Sequence, residues 1–393
     1  MAFGVKRAEL EAWKKRADSG EIAFLTHYWL DNRFPDSKTV TKAASADIEK
    51  LKAWGASYGF KPEWIDSRHN GYPHYDLFGE IQRTVLKKEG IWDQIERFHL
   101  DGDETMLKLE NDALLVELKE DGAELTRIFD KNSQKEFLWH GDGEYWARRA
   151  PVLFPTVGRL VEDTYFVDGE AFHLGQHGFA RDRVFQVVKQ SDEAITLRLE
   201  YDEESLAIYP FRFALEIAYR LDGGTIHVGY HVENLDDKTM YFSIGAHPAF
   251  NVPFVAGETF EDYYLDFGAE EQLDSLTLAG AYLSGEKKEI GKTKKLPLNY
   301  ELFGNDALIF EGLTKNEVTI RSRKNRHFVK VAFPDFKFVG LWTPKPGTPF
   351  LCIEPWFGIA DTQGPSVELK DKQAIETLAI GAAFNSEYTI TIG

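Results

Sequence analysis

His247 and Glu354 are the two residues best placed by their neighbours to move protons. His247 stands in Gly-Ala-His-Pro-Ala-Phe. Pro248 biases it toward an extended backbone, and the small flanking residues leave the imidazole room. A histidine presented in this way can act as a general acid near neutral pH. The plainer alternative is a structural histidine that caps a loop backbone. Glu354 ends the apolar run in Phe-Leu-Cys-Ile-Glu-Pro-Trp-Phe-Gly. A carboxyl at that place is poorly solvated, and desolvation raises its pKa, which suits a general base. Strand alternation sets Cys352 and Glu354 on one face and Ile353 on the other, and Pro355 is expected to end strand pairing. An edge-strand acid in a surface ion pair is the alternative here.

Three further kinds of residue could serve a polar ligand. His177, in Gly-Gln-His-Gly-Phe-Ala-Arg, reads as a hydrogen-bond donor. His173 lies four residues earlier, but the spacing is not on a helix and no further ligand recurs, so no metal site is expected. Arg159 follows Thr-Val-Gly, where glycine allows close backbone approach and a guanidinium suits hydroxyl or anion recognition. Arg148, Arg149, Arg181 and Arg183 add positive charge nearby in sequence, with surface solvation as their alternative. Trp342 and Trp356 offer an aromatic platform for an apolar ring face, or simply core packing.

These residues need a scaffold, and the chain supplies two parts. From about residue 103 the apolar pattern has period two. MLKLENDALLVELKEDGAELTRIFD reads as two strands with a turn at Glu120–Gly122, and Asp-Gly-Gly in RLDGGTIHV is a hairpin signal. Many strands without a 20–50-residue repeat argue for a large β-sandwich, not a propeller. Residues 1–100 read as a small α-helical domain, with candidate helices in 8–17, 45–60 and 75–98. A linker is expected near His99–Glu104, whose HLDGDE carries turn residues and charge.

Charge and composition exclude several partners. Residues 1–100 hold 16 Lys/Arg against 15 Asp/Glu, and the rest holds 30 against 49. A surface that acidic repels nucleic acid and anionic lipid. Cys352 is the single cysteine, so neither an intrachain disulfide nor a cysteine-based zinc site is expected. No apolar stretch approaches the ~18 residues of a membrane span, and the N-terminus lacks the apolar core of a signal peptide. A cytoplasmic protein is the simplest expectation.

LFPTVGRL, QHGFARDRVF, GAHPAFNVPF and FLCIEPWFGIAD fall in consistent order through residues 103–393. Together they resemble the aldose 1-epimerase (galactose mutarotase) family, in particular its LacX-like branch. The resemblance implies the galactose mutarotase-like supersandwich and a cofactor-independent isomerase that interconverts the α and β anomers of a hexose. It implies His247 as the acid that protonates the ring oxygen and Glu354 as the base that takes the anomeric hydroxyl proton. It implies His177 as the second, sugar-polarising histidine and Arg159 as the substrate-binding arginine. The family's substrate-binding aspartate has only a poor match, Asp266 in FEDYYLDF. No GxGxxG or GxxxxGK[ST] loop is present, so no nucleotide cofactor is expected. The arginine group keeps a hexose-phosphate 1-epimerase open as an alternative. A carbohydrate sensor without efficient catalysis is another. Residues 1–100 resemble uncharacterised small bacterial proteins; a packing or homodimerisation module is the plainer reading for them, and a second ligand site the other.

Overall fold

The computed structural model describes residues 5, 7–28, 39–67, 72–98, 100 and 106–393. Its contacts divide the chain into two compact units, residues 1–104 and 105–393. Apart from Leu100, the linker expected near His99–Glu104 lies outside the described residues.

The first unit has helices Arg7–Asp18 and Ile48–Ala56 in two of the expected segments, while the third, 75–98, begins in a strand and divides into two helices, Gly79–Lys88 and Trp92–Arg97. Asp47 caps the second, its carboxylate accepting the Lys50 N–H at 3.0 Å. The unit also contains a three-stranded antiparallel sheet, Ala23–Tyr28, Thr39–Ala44 and His74–Leu77, which the helical reading omitted. The reason is burial. Phe24 and Leu25 are both inside, as are Val40, Ala43 and Ala44, so these strands lack the alternation that marks a half-buried strand. The core gathers Leu51, Tyr75, Leu77, Val85 and Ile95, whereas Ile48 and Ile81 are exposed.

The second unit is a β-sandwich dominated by one fifteen-stranded antiparallel sheet. The sheet runs from Gln186–Gln190 through Phe213–Asp222, Thr225–Asn234 and Ala383–Ile392 to Phe338–Trp342, Phe350–Phe357 and Ile244–Ala246. Strands far apart in this order share one apolar core: Leu215, Val228, Val318, Leu341, Leu351 and Ile353 all belong to it. The Asp-Gly-Gly signal forms the expected hairpin, with Asp222 opposite Thr225. Residues 106–130 make three strands, one more than expected, because Asn111 turns the chain by accepting the Ala113 and Leu114 N–H groups at 2.9 and 2.8 Å. FEDYYLDF leads from a short 3-10 turn, Phe260–Asp262, into a 17-residue strand, Tyr263–Ala279, paired with Tyr282–Pro297 in a long hairpin. No described helix is long and apolar enough to cross a membrane.

Candidate active site

The Phe350–Phe357 strand is buried along its whole length, and its two faces meet different surroundings. Leu351, Ile353 and Phe357 enter the main core. Cys352 joins an aromatic cluster with Trp139, Trp146 and Trp342, while Trp356 joins a second cluster with Leu153, Ile309 and Phe338. Glu354 therefore points away from the main core, into the gap between two smaller apolar clusters. The expected shared face of Cys352 and Glu354 follows from this alternation.

Two flanking strands complete the floor. On one side Gly340 stands opposite Glu354, between Trp342 opposite Cys352 and Phe338 opposite Trp356. On the other side Gly245 pairs with Trp356 and Ala249 with Cys352. The same register brings His247 opposite Glu354, where His247-Pro248 interrupts the ladder between Ile244–Ala246 and Ala249–Asn251. His247 Nε2 lies 3.1 Å from Glu354 Oε2. The expected stop at Pro355 does not occur; the strand continues to Phe357. Ile353 donates its N–H to Pro248 O at 3.2 Å. Pro355, two residues on, turns its missing donor to that same side, where the ladder is already broken.

Trp356 has glycine on both neighbouring strands. A Cβ on Gly340 would come within 2.5 Å of the indole, and one on Gly245 within 2.6 Å. The indole thus lies across two bare backbones. Its Nε1 is buried without a hydrogen bond of good geometry, yet is near enough to Glu354 to favour the charged carboxylate.

Burial acts oppositely on the pair. It pushes the Glu354 carboxyl well above its ordinary range, and Asp306 raises it further by like-charge repulsion. It lowers His247 to about 3, with the Arg181 and Arg148 charges adding to the effect. The imidazole is clamped by rings: it stacks on Trp146 at 4.8 Å and meets His177 and Trp342 edge-on at 5.7 and 5.6 Å. Its Nδ1 has no hydrogen-bond partner among the described residues.

His177 takes a left-handed backbone conformation, φ +67°, which is strained for a non-glycine residue. Reciprocal bonds hold it: its N–H donates to Gly158 O at 2.9 Å, and the Gly158 N–H donates to its Nδ1 at 3.1 Å. With Nδ1 accepting, the neutral ring carries its proton on Nε2 as a donor. Burial, then the His247 and arginine charges, depress its proton affinity strongly, so the ring is neutral.

His247, Glu354, His177, Trp342 and Trp356 all line one cavity of about 420 Å³, a size that suits a small molecule. Two expected residues do not line it. The Arg159 guanidinium makes a two-pronged bond to Asp163, both contacts 2.9 Å. Asp266 sits on the Tyr263–Ala279 strand, where Tyr263, Leu265 and Phe267 point inward, and accepts the Gly268 N–H at 3.0 Å. Arg181, rather than Arg159, is the arginine that lines the cavity. It donates from Nη2 to Gln176 O at 2.7 Å, and leaves Nε without a hydrogen bond. Trp146, Asp306 and the hairpin tip Leu278, Gly280 and Ala281 also line the cavity and were not anticipated. The tip is tied down by Leu283, whose N–H donates to Asp361 O at 2.8 Å and whose carbonyl accepts the Gln363 N–H at 3.0 Å.

A metal was not expected, yet His247, Cys352 and Glu354 place one ligand atom each within 4.8 Å of one another, all three residues buried. His173, the other histidine considered, is exposed and contacts Thr164 Oγ1 at 2.9 Å.

Residues 105–375 match the family model described as Aldose 1-epimerase. The protein LacX (chromosomal) of Lactococcus lactis subsp. lactis is 34% identical over 299 residues, spanning 73% of this chain and 99% of that protein. The solved structure of a galactose mutarotase related enzyme from Lactobacillus acidophilus is 36% identical, has a TM-score of 0.70, and is matched over 73% of this chain and 97% of its own. The N-terminal region matches the uncharacterized protein YneQ of Bacillus subtilis (strain 168), 60% identical over 100 residues, which are 25% of this chain and 100% of that protein.

Proposed function

The chain belongs to the aldose 1-epimerase family, and we propose that His247 and Glu354 open and reclose the ring of a free hexose without a cofactor. The observation that carries this reading is the 3.1 Å approach of His247 Nε2 to Glu354 Oε2 on the floor of the cavity.

The step balances in atoms and electrons. Glu354 removes the O1 proton, the O1 electron pair forms the C1–O1 double bond, the C1–O5 bond breaks, and O5 takes a proton from His247. Rotation about C1–C2 presents the other carbonyl face, and the reverse sequence gives the other anomer. The pair starts as imidazolium and carboxylate and ends as imidazole and carboxylic acid, so a single proton serves both directions. Burial favours the neutral arrangement, the one that faces the open-chain sugar. The ring-closed sugar supplies the hydroxyl and ring oxygen that stabilise the charged arrangement.

The remaining lining residues position the ring. His177 Nε2–H donates to a hydroxyl, Asp306 accepts from one, and Trp342 and Trp356 offer flat surfaces. Turnover of α-D-glucose and α-D-galactose by the protein and by Glu354→Gln tests the assignment. Tight sugar binding by a folded protein without turnover would instead favour the sensor reading.

A hexose phosphate is the second reading, favoured by the Arg181 guanidinium in the cavity, whose Nε makes no hydrogen bond although it lies 3.7 Å from Asp182 Oδ2. Arg148 is close enough to be felt at both His177 and His247, although it also pairs with Asp182 at 2.7 Å. Equal turnover of glucose and glucose 6-phosphate would remove this reading. The first unit is proposed to serve as a packing or homodimerisation module.

A further inference from the structure

We propose that Cys352, together with the proposed acid–base pair, forms a binding site for a zinc-class divalent cation, and that its occupancy stops epimerisation. The inference rests on the proposed function only for its inhibitory half.

Three different ligand types converge on one point. A ring nitrogen of His247, Cys352 Sγ and a Glu354 carboxylate oxygen all lie within 4.8 Å of one another, and the nitrogen–oxygen edge of this triangle is 3.1 Å. Tetrahedral zinc with bonds of roughly 2.0–2.3 Å holds its ligand atoms roughly 3.3–3.8 Å apart. The 4.8 Å bound on the other two edges is within about 1 Å of that size. One sulfur, one nitrogen and one oxygen with a fourth position left open is the ligand pattern of a three-ligand zinc centre.

Charge supports the same occupant. A thiolate and a carboxylate total −2, so a divalent ion leaves a neutral centre in a place where a lone buried charge is costly. The surroundings shield it: Trp139, Trp146, Trp342 and Phe350 form the apolar wall behind Cys352. Two of the three ligands, His247 and Glu354, line the cavity, which gives an ion and its fourth ligand access from that side. An ion there uses the lone pairs that the proton transfers require, so it inhibits.

The test uses the full chain, freed of metal, in a buffer without phosphate. Zinc is titrated in competition with a chromophoric chelator, and cobalt(II) is added separately for its spectrum. We expect one ion per chain at the site, a cobalt spectrum with tetrahedral d–d bands and a thiolate charge-transfer band, and weakening of binding by a saturating aldose. Cys352→Ala removes a direct ligand and should weaken zinc by more than the roughly 10–100-fold that outer-shell changes cost. Cys352→Ser serves the same purpose if the alanine variant fails to fold. His74→Ala is the control, because Asp66, His74 and Asp76 in the first unit form the other such cluster among the described residues. Zinc should slow mutarotation of the unmodified chain, and the inhibition constant of each cysteine variant, taken against its own zinc-free rate, should rise by the same factor as its binding constant. Absence of stoichiometric binding, binding unchanged by Cys352→Ala, or binding lost only in His74→Ala overturns the site. Binding with undiminished turnover overturns the inhibition. A protein that binds zinc as described but turns over no aldose keeps the site and loses the proposed function.

Discussion

Glu354 and His247 face each other across an interrupted ladder, 3.1 Å apart, and burial drives their proton affinities in opposite directions. Between those limits the pair holds one proton. The apparent pKa values of such a pair belong to both groups together. Epimerase activity should therefore show a broad plateau through neutral pH, falling on the acid side when a second proton binds and on the alkaline side when the shared proton leaves. Initial mutarotation rates across pH, corrected for the buffer reaction, check this. A single ionisation at the ordinary carboxyl or imidazole value would contradict it.

The same pair carries a stability signature. The folded pKa of Glu354 lies above its unfolded value. Its contribution to stability is therefore complete below the ordinary carboxyl range and is lost as pH rises toward the folded pKa, because the unfolded chain releases the proton first. Glu354→Gln has no such loss. Thermal melts should show the variant gaining on the unmodified protein as pH rises above the ordinary carboxyl range. A difference independent of pH would count against a buried, protonated Glu354.

Gly340→Ala places a methyl 2.5 Å from the Trp356 indole. The indole must move, at a cost of about 1–3 kcal/mol, and the proposed sugar platform moves with it. KM for the aldose should rise while far-ultraviolet circular dichroism stays unchanged. Unaltered kinetics would remove Trp356 from the binding surface.

Beneath the cavity, the buried Lys372 ammonium bridges Ile359 O and Asp361 Oδ1, both at 2.7 Å. Asp361 Oδ2 in turn accepts the Val161 N–H at 2.9 Å. These bonds join the Gly158 loop to the Ala360 loop, both of which line the cavity. Lys372→Met strands a buried carboxylate and should cost about 3–5 kcal/mol. Adding Asp361→Asn should return part of it in chemical melts. A cost below about 1 kcal/mol would show the pair to be solvated.

What the sequence revealed of this site was decided by local chemistry. His247 and Glu354 were legible because each precedes a proline and sits among small or apolar residues. Their opposition was not, because it depends on which strands pair and in what register. That Arg181 lines the cavity and Arg159 does not turned on neighbours. Arg159 has Asp163 four residues ahead and closes on it, a relation the sequence contained. Arg181 is drawn inward by a loop whose left-handed His177 no local pattern announces. Asp266 lies on the opposite face to the buried Tyr263, Leu265 and Phe267 and does not line the cavity, a placement the alternation of those residues already implies. Asp306 lies on an exposed turn, φ +77°, and reaches the cavity only through tertiary folding. The strands of the first unit were hidden because burial on both faces erased their period.

The most direct test follows the optical rotation of freshly dissolved α-D-glucose and α-D-galactose with the protein and with Glu354→Gln. The unmodified chain should speed equilibration of at least one sugar, and the variant should lose about 10²–10⁴-fold of that rate while remaining folded. A Glu354→Gln protein that turns over the sugar as fast as the unmodified chain would contradict the assignment of Glu354 as the base.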